Sequence, residues 1–454
     1  MTLISRKRLL MYVSVVIFCL GLMALSSCGG GETVDLEYDL VTNPPTSQHQ
    51  YPDEDSDVLD EQSVTSVFPS IHITFNAASI HRDNWANTTF TVTGAPDGQN
   101  FENITGRIRG RGNSTWRLMG EKRPFRIRFD TAQTMLGSDY VARDWSFIAN
   151  AMDYSLMRNF AVYSFAASLG NFDFNPTSKF IHVYMNGDYR GLYMLSDQMH
   201  VFPGRVEITF NEDPALSEYY IEWCLHSRDE DDIYFRMRDI VFDFRETEGI
   251  TPAHVAFVSY FIHQVDAALT RGNFEEISQM IDVPSFVDFY IVQEFSKNLD
   301  VFFSSLHFTI RQVDGRPVLF GGPIWDFDQS AGGTAPSQTA GRGYQYHPRD
   351  PWAAYSNIWF RALMNVPEFR QLVSDRWFEI NEVEVVAMLD LIRDTHTRYI
   401  ECFERNFDRW PNKLGQNLWR TPPSVIRIPT HEGQVEYLIN WFEQRVVWMN
   451  GFLS

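Results

Sequence analysis

Apolar and polar residues alternate in short runs from about residue 67, and this period of two gives way to spacings of three and four beyond about residue 250. The runs "VFPSIHITF", "TTFTVTG", "ITGRIRGRG", "PFRIRFD" and "FIHVYMNGDYRGLYMLS" each predict a strand or a strand pair. In the last of them Asn186 and Gly187 suit the positive backbone angles of a tight turn, which predicts a hairpin. One helix interrupts this half, "SLMRNFAVYSFAASLG", with Gly170 as its stop. Later the chain reads as helical. "PAHVAFVSYFIHQVDAALTRG" runs from Pro252 to Gly272, and "PSFVDFYIVQEFSKN", "SNIWFRALMN", "PEFRQLVSDRWFEI", "EVVAMLDLIRDTHTRYIECFERNF" and "VEYLINWFEQRVVWMNGFL" follow it. Strands first and helices later predict an α+β protein of two lobes, a strand-rich lobe over 67–200 and a mostly helical one over 201–454.

The first 66 residues break this pattern. Arg6, Lys7 and Arg8 precede an apolar run from Leu9 to Leu25 and the tetrapeptide "LSSC", which ends at Cys28. A charged start, a short apolar core and small residues before a cysteine resemble a bacterial lipoprotein signal over residues 1–27. The resemblance implies cleavage before Cys28, lipid on its thiol, and a chain held outside the cytoplasm, facing the periplasm or the cell exterior, that touches the membrane through that lipid only. An uncleaved anchor helix is the alternative. Residues 28–66, rich in Gly, Pro, Ser, Thr, Asp and Glu, read as a disordered acidic tether.

The formal charge of −20 argues against nucleic acid as a general partner, more so once the three basic residues of the signal are removed. Of the four cysteines, Cys224 and Cys402 remain for the folded part, either as a pair or as two buried thiols, and no spacing supports a zinc site. Against this acidic background, "RIRGRGNSTWRLMGEKRPFRIR" holds one acid, Glu121, among its basic residues. Arg107, Arg109 and Arg111 recur with period two, as do Arg126 and Arg128, so each strand presents a cationic face. Such a face needs either structural carboxylates across the sheet or a polyphosphate-like anion, whose oxygens match guanidinium forks.

"GGPIWDFDQSAGG" sets Asp326 and Asp328 one residue apart in an apolar, glycine-rich run. If this were the end of a strand, both carboxylates would share one face about 6 to 7 Å apart, with Trp325 and Phe327 on the other. At an effective dielectric near 20 they would repel by roughly 2 to 3 kcal/mol, which favours a bound cation or an arginine partner. The run Asp229 to Asp232 reads as a solvated turn, with calcium or a basic peptide as alternatives, and "YHPRDPW" reads as a loop.

The ordered set "RGRGNSTW", "KRPFRIRF", "SFIANAMDYSLMRN", "MNGDYRGLYMLSDQ", "KNLD" and "GPIWDFDQSAG" resembles the CotH kinase family, named for a spore coat protein kinase. The resemblance implies an atypical protein-kinase-like fold that transfers the γ-phosphate of ATP to protein serine or threonine with Mg²⁺ or Mn²⁺. It places Asp300 at the catalytic-loop aspartate and Asp326, with Asp328, at the metal-binding motif. Arg109, Arg111, Lys122, Arg126, Arg128, Arg158 and Asp197 become candidates for binding the nucleotide. Two positions depart from the family: Ser305 stands where many members carry asparagine as a second metal ligand, and Asp197 where glutamate is common. Two further readings stand beside a protein substrate. One is transfer to a surface polymer; the other is a non-catalytic surface module that binds glycan, peptide or a phosphorylated ligand.

Overall fold

The alternating runs close on themselves. In the computed structural model, which describes residues 67–138, 140–224, 232–302, 304–334, 347–353, 357–411, 413–417 and 420–454, seven strands form a closed barrel: β1 (Ser70–Phe75), β2 (Ala86–Thr93), β3 (Phe101–Gly110), β4 (Phe125–Gln133), β5 (Ala142–Ile148), β6 (Lys179–Met185) and β7 (Asp188–Asp197). Their order is β1-β2-β3-β4-β5-β7-β6, and β6 closes the ring by pairing in parallel with β1. Closure leaves no sheet edge to protect. The inward side chains, among them Ile71, Phe90, Ile108, Ile127, Trp145 and Val183, form the barrel's own core. The hairpin turn falls between β6 and β7 at Asn186 and Gly187, both with positive φ.

The second half is not simply helical. A five-stranded antiparallel sheet of order β12-β11-β8-β10-β9 is built from β8 (Tyr219–Cys224), β9 (Tyr234–Met237), β10 (Ile240–Phe244), β11 (Leu306–Val313) and β12 (Arg316–Gly321). The sequence pattern missed it for a physical reason. β8, β10 and most of β11 are buried on both faces, so they read as continuous apolar runs without alternation. The architecture is therefore mixed α+β, with a barrel and a separate sheet.

Eleven helices are described: α1 (Ser114–Leu118), α2 (Arg158–Leu169), α3 (Pro252–Arg271), α4 (Phe274–Ser278), α5 (Val283–Ser296), α6 (Ile358–Met364), α7 (Pro367–Ile380), α8 (Glu384–Arg398), α9 (Ile400–Arg409), α10 (Pro423–Ile426) and α11 (His431–Leu453). Left-handed Gly170 and Gly272 cap α2 and α3, at the stops expected for them. The single segment expected around residue 399 is broken into α8 and α9 at Tyr399. Helix α5, buried from Ser285 to Ser296, is the axis against which α2, α7, α11 and β12 pack.

Cys224 and Cys402 are both buried free thiols. The signal segment, Cys28, the acidic tether and Asp229 to Asp231 lie outside the described residues. No helix among those described is long and apolar enough to cross a membrane.

Candidate active site

Three separate stretches bring their acids together in one cluster. Asp300 lies in a single 3-10 turn, Leu299–Phe302, just after α5. Asp326 and Asp328 lie in the segment that follows β12, and Glu222 comes from the middle of β8. Asp300 is nearly buried, and burial, then Asp326, Asp328 and Glu222, push its pKa well above the usual carboxylate range, against the pull of a hydrogen bond with Ser305. Asp328 is likewise raised by burial, then by Asp326 and Asp153, and pulled down by Arg111 and Arg158. The acids thus feel one another across a medium too dry to screen them.

The metal-motif segment is not a strand. β12 ends at Gly321, and residues 322–327 run without regular structure. Asp326 has φ of 65°, so the alternation that would put both carboxylates on one flat face is broken there. A left-handed aspartate is one of the few side chains that tolerate this angle.

Helix α2 holds the bend from below. Asn159 and Tyr163, four apart and so on one helix face, accept the backbone N–H of Phe327 at 2.7 Å and of Asp326 at 3.2 Å. Asn159 in turn donates to Asn150 at 3.0 Å. Arg158, fully buried, is ion-paired with Asp153 and donates to the carbonyls of Ser330 at 3.0 Å and Ala331 at 3.3 Å. Gly333 passes so close that a Cβ there would stand 2.6 Å from the Arg158 Nε. The resemblance made Arg158 a candidate for the phosphates; the hydrogen bonds it makes here tie Asp153 and Ser155 of its own segment to the carbonyls of Ser330 and Ala331, just past Asp326 and Asp328.

The cationic strip divides. Arg111, just past β3, has its guanidinium 5.2 Å from the Trp325 ring, and its surroundings include Asp326, Asp328 and Tyr163. Burial lowers its pKa, and those acids work the other way. Arg109, Arg126 and Arg128 instead gather around Trp85, and Arg126 and Arg128 both bond Asp144. For those two, pairing with a carboxylate across the sheet is realised. The glycines between the arginines make room on the inner face: a Cβ on Gly110 would stand 2.3 Å from the Trp116 ring.

Lys122 and Asp197 sit apart from the acidic cluster's first contacts. Lys122 is buried without a hydrogen-bond partner, its pKa lowered to about 7 by burial and by Lys413, in a small cavity lined also by Asn150, Asp153 and Asn406. Asp197 is fully buried; it pairs with Arg205 at 2.6 Å, accepts the Thr177 N–H at 2.8 Å and accepts the Tyr140 hydroxyl.

Glu222, Asn159, Tyr163 and Asp153 escaped the sequence reading. A lone acid in "YYIEWC", and two polar residues four apart in an otherwise apolar helix, were the available signals.

No three carboxylate, histidine or cysteine groups among the described residues form a ready-made metal cage. The donor set still fits a divalent ion of the magnesium type. Such an ion keeps several waters and takes only one or two carboxylates beside substrate phosphates, and neighbouring carboxylates held out of bulk water are stabilised by a cation. Residues 108–449 match the family model described as CotH kinase protein. No curated protein matches the chain.

Proposed function

Because the chain belongs to the CotH kinase family, we propose that it is an atypical protein kinase that transfers the γ-phosphate of ATP to serine or threonine hydroxyls of protein. On this reading the barrel and the helical part with its sheet act as two lobes. The observation that carries the proposal is the gathering of Asp300, Asp326 and Asp328 in one cluster with Arg111 against the last two. Phosphoryl transfer asks for little else: positioned carboxylates, a cation for the developing charge, and a base for the hydroxyl.

Asp300 takes the acceptor's proton as the hydroxyl oxygen bonds to the γ-phosphorus and the bond to the β-phosphate oxygen breaks, releasing ADP. Its raised pKa suits this task, since a carboxylate held above its usual range is a stronger base once ionised. Ser305 orients it through their hydrogen bond. Asp326 and Asp328 would hold Mg²⁺ or Mn²⁺, which when bound neutralises charge on the phosphates. Arg111 binds phosphate oxygens beside them, and Arg158 is a positioning residue that fixes the loop on which they sit. The sequence supports a location outside the cytoplasm, tethered through lipid on Cys28, with a protein or a surface polymer as acceptor.

A melting curve with Mg²⁺ and ATP together tests the site. The expected result is a rise in Tm that Asp326→Ala abolishes, with labelled phosphate appearing on added protein for the wild type and not for Asp300→Ala. No Tm response to nucleotide, or transfer undiminished in Asp300→Ala, would overturn the assignment.

A further inference from the structure

Across the barrel wall, β3 and β4 set like charges face to face. Their register places Arg107 opposite Arg128 and Arg109 opposite Arg126. Cross-strand neighbours of one sign repel, and a sheet that keeps two such pairs side by side is destabilised at that spot. All four guanidiniums converge on Trp85, at 5.7 Å for Arg107, 5.0 Å for Arg109, 5.7 Å for Arg126 and 5.6 Å for Arg128. The indole face attracts cations and fixes where they stand.

Compensation is incomplete. Asp144 takes Arg126 at 2.7 Å and Arg128 at 2.9 Å. Asp83, exposed on the preceding turn, lies 3.8 Å from Arg82 and near Arg109. Among the described residues the side chains of Arg107 and Arg109 make no hydrogen bond or ion pair, and the Arg109 Nε is buried without a partner. Two half-buried guanidiniums therefore remain for an anion, on a protein whose overall charge is −20.

We propose that this Trp85 face binds acidic side chains of the protein that receives phosphate, and so selects acceptors with glutamate or aspartate three to four residues from the modified hydroxyl. The proposal rests on the phosphotransfer reading of the adjoining acidic cluster. Arg107, Arg109 and Arg111 lie on one side of the same extended segment, and Arg111 already faces Asp326 and Asp328. Arg107 lies four residues and about 13 Å before Arg111, Arg109 two residues and about 7 Å, and an extended peptide laid alongside advances by the same step, so a carboxylate three to four residues from a hydroxyl at the acidic cluster comes between Arg109 and Arg107. Guanidiniums covering the indole leave it little face for a sugar ring, which favours a peptide over a polysaccharide.

The test uses the intact chain and a fluorescein-labelled peptide with one serine and glutamates three and four positions away, against the same peptide with glutamines. Anisotropy without nucleotide is expected to show at least tenfold tighter binding of the glutamate peptide, weakened by salt. Arg107→Glu should abolish that preference and Arg107→Lys should keep most of it, with far-UV circular dichroism unchanged in both. Equal affinity for the two peptides, a preference that survives Arg107→Glu, or binding of polygalacturonate in place of the glutamate peptide would each overturn the proposal. A glutamate preference lost in Arg107→Glu, in a protein that never transfers phosphate, would leave this surface standing and remove the kinase reading alone.

Discussion

Two buried charge clusters lie at the C-terminal end of α5, and they are built on opposite terms. Glu294, near the end of the helix, meets Arg445 of α11 with both side chains fully buried. Arg445 spends its donors on the Glu294 carboxylate and carbonyl and on the carbonyls of Pro348 and Asp350, while Glu294 also accepts the Trp352 N–H at 2.7 Å. A few residues further on, Asp300 faces Asp326, Asp328 and Glu222 with net repulsion. One cluster closes a structural joint, and the "HPRDP" loop at 347–351 is part of that joint. The other sets carboxylates against one another, which on the proposed function suits a bound cation. Burial by itself therefore says little about role; the sign of the neighbours decides it.

The largest expected effect breaks the first cluster. Arg445→Met removes the cation and strands Glu294 and three carbonyls in a dry interior, and losing one partner of such a pair costs about 3–5 kcal/mol. Denaturant unfolding should show that loss, and activity should fall in step with the folded fraction. A variant of wild-type stability would mean that the two clusters do not differ as described.

Removing charge from the second cluster should do the reverse. Asp328 has a folded pKa above its unfolded value, so its ionisation is disfavoured in the folded protein. Its contribution is fully present below the ordinary carboxylate value near 3.9 and is lost as pH rises through the raised folded value, at up to about 1.4 kcal/mol per pH unit. Asp328→Asn should therefore match the wild type at low pH and exceed its Tm near neutrality, and Mg²⁺ with ATP should narrow that gap by stabilising the wild type. The comparison must be a difference between variants, because His307, pushed down to about 4 by burial, runs the other way. Its contribution is present above about 6.5 and is lost as pH falls towards 4. An Asp328→Asn protein less stable than the wild type at pH 7 would contradict the picture of mutual repulsion.

How much of this could be read from the chain depends on whether a residue's neighbours are local. Period-two arginines marked β3 and β4, and Asn186-Gly187 marked the hairpin, because both signals are carried within a few residues. The sheet of β8 to β12 left no such mark, since strands covered on both faces resemble buried helix segments. β5 was equally hidden: "ARDWSFI" is buried at all but one position. The ordered motifs brought Asp300, Asp326 and Asp328 into view, but not the bend at Asp326 or the seat that Asn159 and Tyr163 provide, which depend on contacts more than 160 residues apart in sequence. Nor could spacing separate Arg111, which turns to the acids, from Arg109, which turns to Trp85.

The smallest expected effect sharpens the acidic cluster, and it concerns Ser305, which the resemblance to the family sets where asparagine is expected. Ser305 has φ of 58°, an angle that asparagine adopts more readily than serine. Ser305→Asn should therefore relieve backbone strain and raise stability, by no more than about 1 kcal/mol. The amide keeps a donor for Asp300 and adds a carbonyl oxygen, a better magnesium ligand than a hydroxyl. The Mg²⁺ concentration giving half-maximal Tm shift in the presence of ATP should fall by several-fold, while Asp300→Asn at the same background should leave that concentration little changed. An unchanged magnesium requirement in Ser305→Asn would show that this side chain points at Asp300 alone, and that the second metal position of the family has no counterpart in this cluster.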